Sequence, residues 1–346
     1  MIPDEFDNEA EKAKGKTFAD EVSSSTIASK LPRGYVSISQ VNQYLKCGAA
    51  YKFRYMDDIL VPGNNFTVQG RGVHKAAEHL HLGLMNTPDA LPSMEAMTAL
   101  YSDLHDKEVS DGAILIDEKD WGFVKDEGIR MTQSYRKGAL GDLLDPETGF
   151  PMLAVRPIAA ERIIKVMVTP ENSDPIPFLG VVDLEEPDTV VDVKSKKKSA
   201  TQADCDNSIQ LTLYAHILGK SNVRLDQVIK PTKTMGVRYL RKSSTRTNHD
   251  VKHALNVIRD VTEGITKGVF PRTSPDGWHC SMKWCAYWAV VEVRNNVCLI
   301  ILSGILSLTL RDCPSTSGKR LLRLFLCVLQ RYVLRMLFFL LYKSMD

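Results

Sequence analysis

The chain has 346 residues, enough for one large domain or two modest ones. Its hydrophobic share of 44% and charged share of 25% are ordinary for a soluble globular protein. A formal net charge of +2 excludes a strong global field, so a nucleic-acid partner would need a local basic patch, for which residues 194–198 and 238–246 are candidates beside the plainer reading as solvated loops.

Residues 1–33 are rich in Glu, Lys, Ser and Ala and poor in large apolar side chains, which reads as a mobile arm ended by Pro32-Arg33-Gly34. Ser37, with Gln40 three residues on, suits a capping box for a helix through Lys46, with Val41, Tyr44 and Leu45 on its apolar face. Cys47-Gly48 then closes it, the glycine suited to a left-handed cap. Tyr51-Lys52-Phe53-Arg54-Tyr55 interleaves aromatics with bases. It could stack nucleobases, although an aromatic core rim is the commoner origin of such a run. Gly70-Arg71-Gly72 reads as a flexible link into a helix over about residues 73–84. On that helix His74, Glu78 and His81 share a face. A zinc site would want the H-E-x-x-H spacing, which is absent, and a surface histidine without a role is the default for His79, His81 and His105. Helices over 93–109 and 125–143 form an insertion across about residues 85–150, with a turn-rich linker at 144–149.

Residues 157–168, 175–184 and 189–194 are strand candidates. The last two are joined by the acidic, proline-bearing link 185–188, the punctuation of a hairpin turn. Side chains alternate along a strand, so Asp192 and Lys194 project from one face, and a paired hairpin brings Asp183 beside them. Two carboxylates and an ammonium on one sheet face suit a divalent metal and an activated water. The bland alternative is an Asp192–Lys194 ion pair at a sheet edge. Residues 201–218 read as one amphipathic helix with Gln210 and Tyr214 four apart on a common face. They either meet the scissile strand or a water at the metal, or form the polar edges of a buried helix. A strand over 235–240 and a helix over 250–267 follow. The alternation predicts an α/β fold, a mixed central sheet flanked by helices with the helical insertion beside it.

Gly180-Val-Val-Asp183, then Asp192-Val-Lys194, then Gln210-Leu-Thr-Leu-Tyr214 resembles the PD-(D/E)XK nuclease superfamily in its RecB-type exonuclease branch. Gly72-Val-His74 at a helix start and Glu161, beside the apolar run 162–168, fit the same pattern; Val182 stands where the nominal motif has proline. The resemblance spans residues 35–288 and rests on the order of several separated pieces. It implies a restriction-endonuclease-like core over residues 34–290. It also implies a Mg²⁺- or Mn²⁺-dependent DNA nuclease, an exonuclease, acting on single-stranded or duplex ends in phage or bacterial recombination, repair or processing. Recombination, helicase or CRISPR-adaptation proteins are the implied partners. His74, Asp183, Asp192 and the Val193 carbonyl would hold the metal, and Glu161 a second metal or a water. Lys194 would orient or deprotonate the attacking water, with Gln210 and Tyr214 supporting the site. A catalytically silent nucleic-acid-binding or scaffold protein on the same fold is the alternative.

Cys280-Ser-Met-Lys-Trp-Cys285, with Cys47 upstream, is similar to a four-cysteine subset of that branch that includes the CRISPR-associated exonucleases. The resemblance implies a 4Fe–4S cluster held by four thiolates. The fourth cysteine is expected around Val291 and is missing, with Cys298 the nearest substitute. Zinc with His279, or plain structural thiols, are the alternatives. From Val291 the composition turns to Leu, Arg and Cys. Residues 295–310 have about the length of a buried helix and are short for a bilayer. Residues 321–342 are apolar but interrupted by Arg323, Arg331 and Arg335, suited to a membrane surface or a docking partner. The abrupt change inside the cysteine group favours a frameshifted C-terminus over either. Seven cysteines, an odd count, with no recognisable secretory signal point to a reducing cytoplasm.

Overall fold

The computed structural model describes residues 17–117, 120–146 and 148–288. The chain divides into two compact units, residues 1–273 and 274–346. In the first, Thr17 opens α1, Phe18–Ser24, through a capping box with Asp20. Ala28 and Leu31 are buried, Leu31 in the main core. The described part of the stretch expected as an arm therefore carries a capped helix and a core contact. Ser37 caps α2, Ile38–Lys46, and α3, Gly48–Tyr51, follows at once. Gly48 continues the chain as helix instead of closing it in a left-handed cap; a Cβ there would lie 2.7 Å from the Pro271 ring. The aromatic-basic run is largely internal, with Tyr51 and Phe53 buried and Tyr51 stacked on Phe270.

Helix α4, Asn65–Asn86, starts earlier than the spacing predicts. Asn64 Oδ1 accepts from the Phe66 and Thr67 N–H groups at 3.0 and 3.1 Å, which fixes that start. The Gly70–Gly72 stretch therefore lies inside the helix, where Gly72 presses on the Tyr101 ring. Helices α5, Met94–Ser110, and α6, Trp121–Ala139, begin at the Ser93 and Asp120 caps and pack on α4 as a three-helix layer. His81 and His105, expected at the surface, are buried in this layer, and His81 Nε2 lies 2.6 Å from the Tyr135 hydroxyl.

The sheet has five strands in chain order: β1, Ala159–Val168; β2, Ile176–Glu185; β3, Thr189–Lys196; β4, Asn222–Ile229; and β5, Arg238–Thr245. Only β3 and β4 run parallel; the other neighbours are antiparallel. A parallel pair needs a crossover. Here it is α7, Gln202–Asp206, and α8, Ile209–Ile217, in place of the single helix expected over 201–218. Ser208 restarts the helix by accepting the Leu211 N–H at 3.3 Å. Helix α9, Asn248–Thr266, follows β5 from a Thr247–Asp250 capping box. Alternation along β3 feeds two cores. Val191 and Val193 join Val73, Tyr101 and Tyr135 of the α4–α6 layer, and Val190 joins Val41, Leu211 and Ile258 of the α2, α8 and α9 layer. This is the mixed α/β sheet flanked by helices that the alternation predicts.

Strand β4 has no counterpart in the sequence pattern, because Arg224, Asp226 and Gln227 break its apolar run. Those charges are buried in mutual contact. Arg224 donates to Asp226 at 2.7 Å and grips Glu186 at 2.7 and 3.0 Å, and the Tyr239 hydroxyl donates to Asp226 at 2.7 Å. In the 238–246 stretch Arg241 turns in on Tyr239, and Arg246 is buried and bonded to the Cys205 carbonyl.

In the second unit the described residues, 274–288, are mostly turns, and Trp278 meets Trp284 edge-on at 5.8 Å. No helix among the described residues is long and apolar enough to cross a membrane. The apolar tail with its suspected frameshift, and Cys298, lie outside the described residues.

A Cβ at Gly128 would fall 1.7 Å from the Tyr101 hydroxyl. Gly128→Ala gains about 1 kcal/mol in helix propensity but overpacks a closed core. We expect a net loss of roughly 1–3 kcal/mol, read as a lower urea midpoint at unchanged slope; an unchanged or higher midpoint would refute the packing argument.

Candidate active site

Strands β2 and β3 pair only next to their turn, at Leu184↔Val191 and Glu185↔Val190. Beyond that they part. The Val193 N–H, which a longer hairpin would give to backbone, instead donates to Asp183 Oδ2 at 2.7 Å. His74 of α4 faces the opening, its Nδ1 3.6 Å from the same Asp183 oxygen. The Val193 backbone lies within hydrogen-bonding reach of the imidazole. From the other side comes Glu161 of β1. The flanking pairs Ala160↔Leu184 and Arg162↔Val182 set it opposite Asp183, and its φ of 47° is left-handed, a strained state for a glutamate. One donor atom each from His74, Glu161 and Asp183 lie within 4.8 Å of one another.

Asp192 is buried on the neighbouring strand. Its Oδ1 accepts from Lys194 Nζ at 2.6 Å and from Gln210 Nε2 at 2.8 Å. It abuts Asp183 but stands outside the tight trio, and its Oδ1 is already engaged. Gln210, in the first turn of α8, thus supports Asp192. Tyr214 is a buried floor residue against Gly180, where a Cβ would meet its ring at 2.6 Å. Cys47 is the residue between α2 and α3 in the first unit, and Cys280 and Cys285 belong to the second. They supply three thiols, one fewer than a four-thiolate cluster uses.

Electrostatics mark the site as short of positive charge. Burial, then Asp183 and Glu78, push the Glu161 carboxyl up to about 7. Burial pushes Asp192 above the ordinary carboxylate range against the pull of the Lys194 ammonium, and Asp183 adds to the rise. Burial would lower Lys194, but Asp192 and Asp183 outweigh it and hold the amine protonated. Burial lowers His74, leaving a neutral imidazole at neutral pH, the form that binds metal. Carboxylate oxygens with one imidazole, crowded until they repel, fit a hard divalent cation. Beside His74 and Glu161 a cleft of about 460 Å³ opens between α4 and α5. Its walls carry Arg71, Lys75, Leu100, Leu104 and Lys107, which the sequence reading did not single out, although Arg71 and Lys75 flank His74 one turn apart.

A carboxyl whose pKa is higher in the folded chain than in the unfolded one costs stability as pH rises from about 4.5 to 7. Glu161→Gln removes that loss. In the presence of EDTA we expect the variant to be more stable than the parent at pH 8, on the order of 1 kcal/mol after solvent screening and roughly 2–4 °C in Tm, and no more stable at pH 5. Equal Tm values at pH 8 would contradict the repulsion described.

A solved structure of a "putative exonuclease" from Eubacterium rectale is 12% identical, with a TM-score of 0.42, over 77% of this chain and 93% of that one. The crystal structure of SSO0001 is 7% identical, with a TM-score of 0.24, over 65% of this chain and 84% of that one. No curated protein matches the chain. Residues 35–290, well over half the chain and all of the site above, match the PD-(D/E)XK nuclease superfamily, to which this protein belongs.

Proposed function

We propose that the chain is a divalent-metal-dependent DNA nuclease of the RecB-type exonuclease branch, hydrolysing phosphodiester bonds at strand ends. The observation that carries this reading is the convergence of His74, Glu161 and Asp183 within 4.8 Å, next to the Asp192–Lys194 pair at 2.6 Å. His74, Glu161 and Asp183 would hold Mg²⁺ or Mn²⁺, with Asp192 and the Val193 backbone adjacent. When bound, the ion supplies charge to the phosphate oxygens and makes water more acidic.

The remaining work falls to the chain itself. Lys194, an ammonium paired with Asp192 in the metal-free chain, would orient or deprotonate the attacking water and steady the charge growing on phosphate. Asp192 aims that ammonium, and Gln210 fixes Asp192. Asp183 ties the metal group to the Val193 peptide, so the donor set and Lys194 share one rigid frame. Tyr214 fills the space below Gly180 and keeps α8 seated against β2. DNA recombination, repair or phage-genome processing is the setting this reading suits. An iron–sulfur cluster belongs to the same branch-level reading, and iron and sulfide content of anaerobically purified protein tests it.

Lys194→Ala should reduce cleavage of end-labelled DNA in Mn²⁺ by about 10²–10⁴-fold while leaving DNA affinity in Ca²⁺ within about threefold, since the side chain acts on the reaction and not on general binding. Asp183→Asn should lose Mn²⁺ binding by calorimetry. Full cleavage by the lysine variant would sink the assigned roles. A wild-type chain that binds DNA and cuts nothing in any divalent ion would favour a silent binding protein.

A further inference from the structure

The three proposed metal ligands stand on two separate bodies. His74 rides on α4, while Glu161 and Asp183 belong to the sheet. Their closeness therefore depends on how α4 is turned about its axis and how far it slides along it. At a side-chain radius of about 5–6 Å, a rotation of roughly 10° carries an imidazole about 1 Å. That is several times the tolerance of a metal–ligand distance, about 0.2 Å. The core face of α4 is lined by Val73, Ala76, Ala77 and Leu80. Apolar burial is non-directional, so by itself it favours contact more than one particular rotation.

Two buried polar side chains of α4 bracket His74 along the helix. Gln69 precedes it and His81 follows it, and they are 0% and 1% exposed. Both reach the same neighbour, α6. Gln69 Nε2 donates to the Glu127 carboxylate and to the Val124 carbonyl, each at 3.0 Å. His81 Nε2 lies 2.6 Å from the Tyr135 hydroxyl. Gln69 Oε1 and His81 Nδ1 have no hydrogen-bond partner among the described residues, so the bonds of both side chains go to α6. Helix α6 is in turn fixed on the sheet at both places. Lys230, just past β4, reaches Glu127 at 3.4 Å. Tyr135 meets the Tyr239 ring edge-on at 5.8 Å, and Arg241 of β5 donates to the Gly138 carbonyl at 3.3 Å. Gly138 leaves room for that approach, since a Cβ there would lie 2.1 Å from the Tyr239 ring. An apolar side chain would fill either position of α4 at a lower desolvation cost. What the polar ones add is direction. We infer that Gln69 and His81 are positioning residues, which lock α4 to α6, and through it to the sheet, at the rotation that brings His74 to Glu161 and Asp183. This rests on the proposed metal site and names what holds its helix-borne ligand.

The test is the Mn²⁺ affinity of the full chain, measured by calorimetry at a temperature where circular dichroism shows each variant folded. His81→Leu with Tyr135→Phe removes both ends of one bond and leaves neither partner stranded. Gln69→Met removes the other tie while Glu127 keeps Lys230. Each should weaken Mn²⁺ binding about five- to tenfold, short of the 10–100-fold typical of groups bonded directly to a metal ligand. Either variant decides the matter should the other fail to fold. His81→Gln alone, which keeps a side-chain amide near the Tyr135 hydroxyl, should stay within about twofold of the parent. In a His74→Ala background the same changes should cost less than about twofold, because the ligand they position is gone. Unchanged affinity in the folded variants overturns the inference and leaves the metal site standing. An equal loss with and without His74 overturns it too, as the mark of general loosening. A wild type that takes up no Mn²⁺ refutes the metal site and the inference together.

Discussion

One bond sets the geometry of the site: the Val193 N–H given to the Asp183 carboxylate instead of to a strand. A hairpin that stayed zipped would satisfy that amide with backbone and leave Asp183 no reason to lean across the gap. By parting after two residue pairs, β2 and β3 leave a gap that Asp183 bridges to the Val193 N–H. Asp183 of β2, Glu161 of β1 and His74 of α4 then meet beside it. The catalytic-looking cluster is thus a consequence of incomplete pairing between two strands that are otherwise well buried.

Strands that part need to be held firmly where they still meet. The turn supplies this through buried charge. Glu185 is bound by Arg162 at 2.6 Å and Lys220 at 3.0 Å, and Glu186 by both terminal nitrogens of Arg224. Arg224 also binds Asp226 of β4, so the hairpin turn and the sheet centre form one network with Tyr239. Breaking one partner of such a network leaves a charge stranded away from water, which costs several kcal/mol. The network's value here is positional: it keeps the register of the two strands on which Asp183 and Asp192 sit.

Much of this was readable from residues a few positions apart. Asp192 and Lys194 share a face because strands repeat every two residues, and the starts of α2 and α5 follow from Ser37 and Ser93, whose caps are local. What was not readable depends on distant partners. Strand β4 looked too polar because Glu186 and Tyr239, which neutralise Arg224 and Asp226, lie far away in the chain. His81 looked exposed because its cover, Tyr135, belongs to another helix. The helix over 201–218 looked continuous because a serine inside a helix and a serine that restarts one are written alike. The glycines at 70 and 72 signalled flexibility, whereas Gly72 is small because Tyr101 needs the space.

The left-handed backbone at Glu161 has a consequence for which side chains can stand there. Asparagine and aspartate adopt that conformation most readily among residues with a Cβ. Either would relax the strand, but each is one methylene shorter, so its terminal oxygen would retreat from the imidazole across the gap, and asparagine would lose the carboxylate as well. Reach and backbone ease thus oppose each other at this position. Glutamate is the choice that favours reach, and the surrounding sheet bears the conformational penalty.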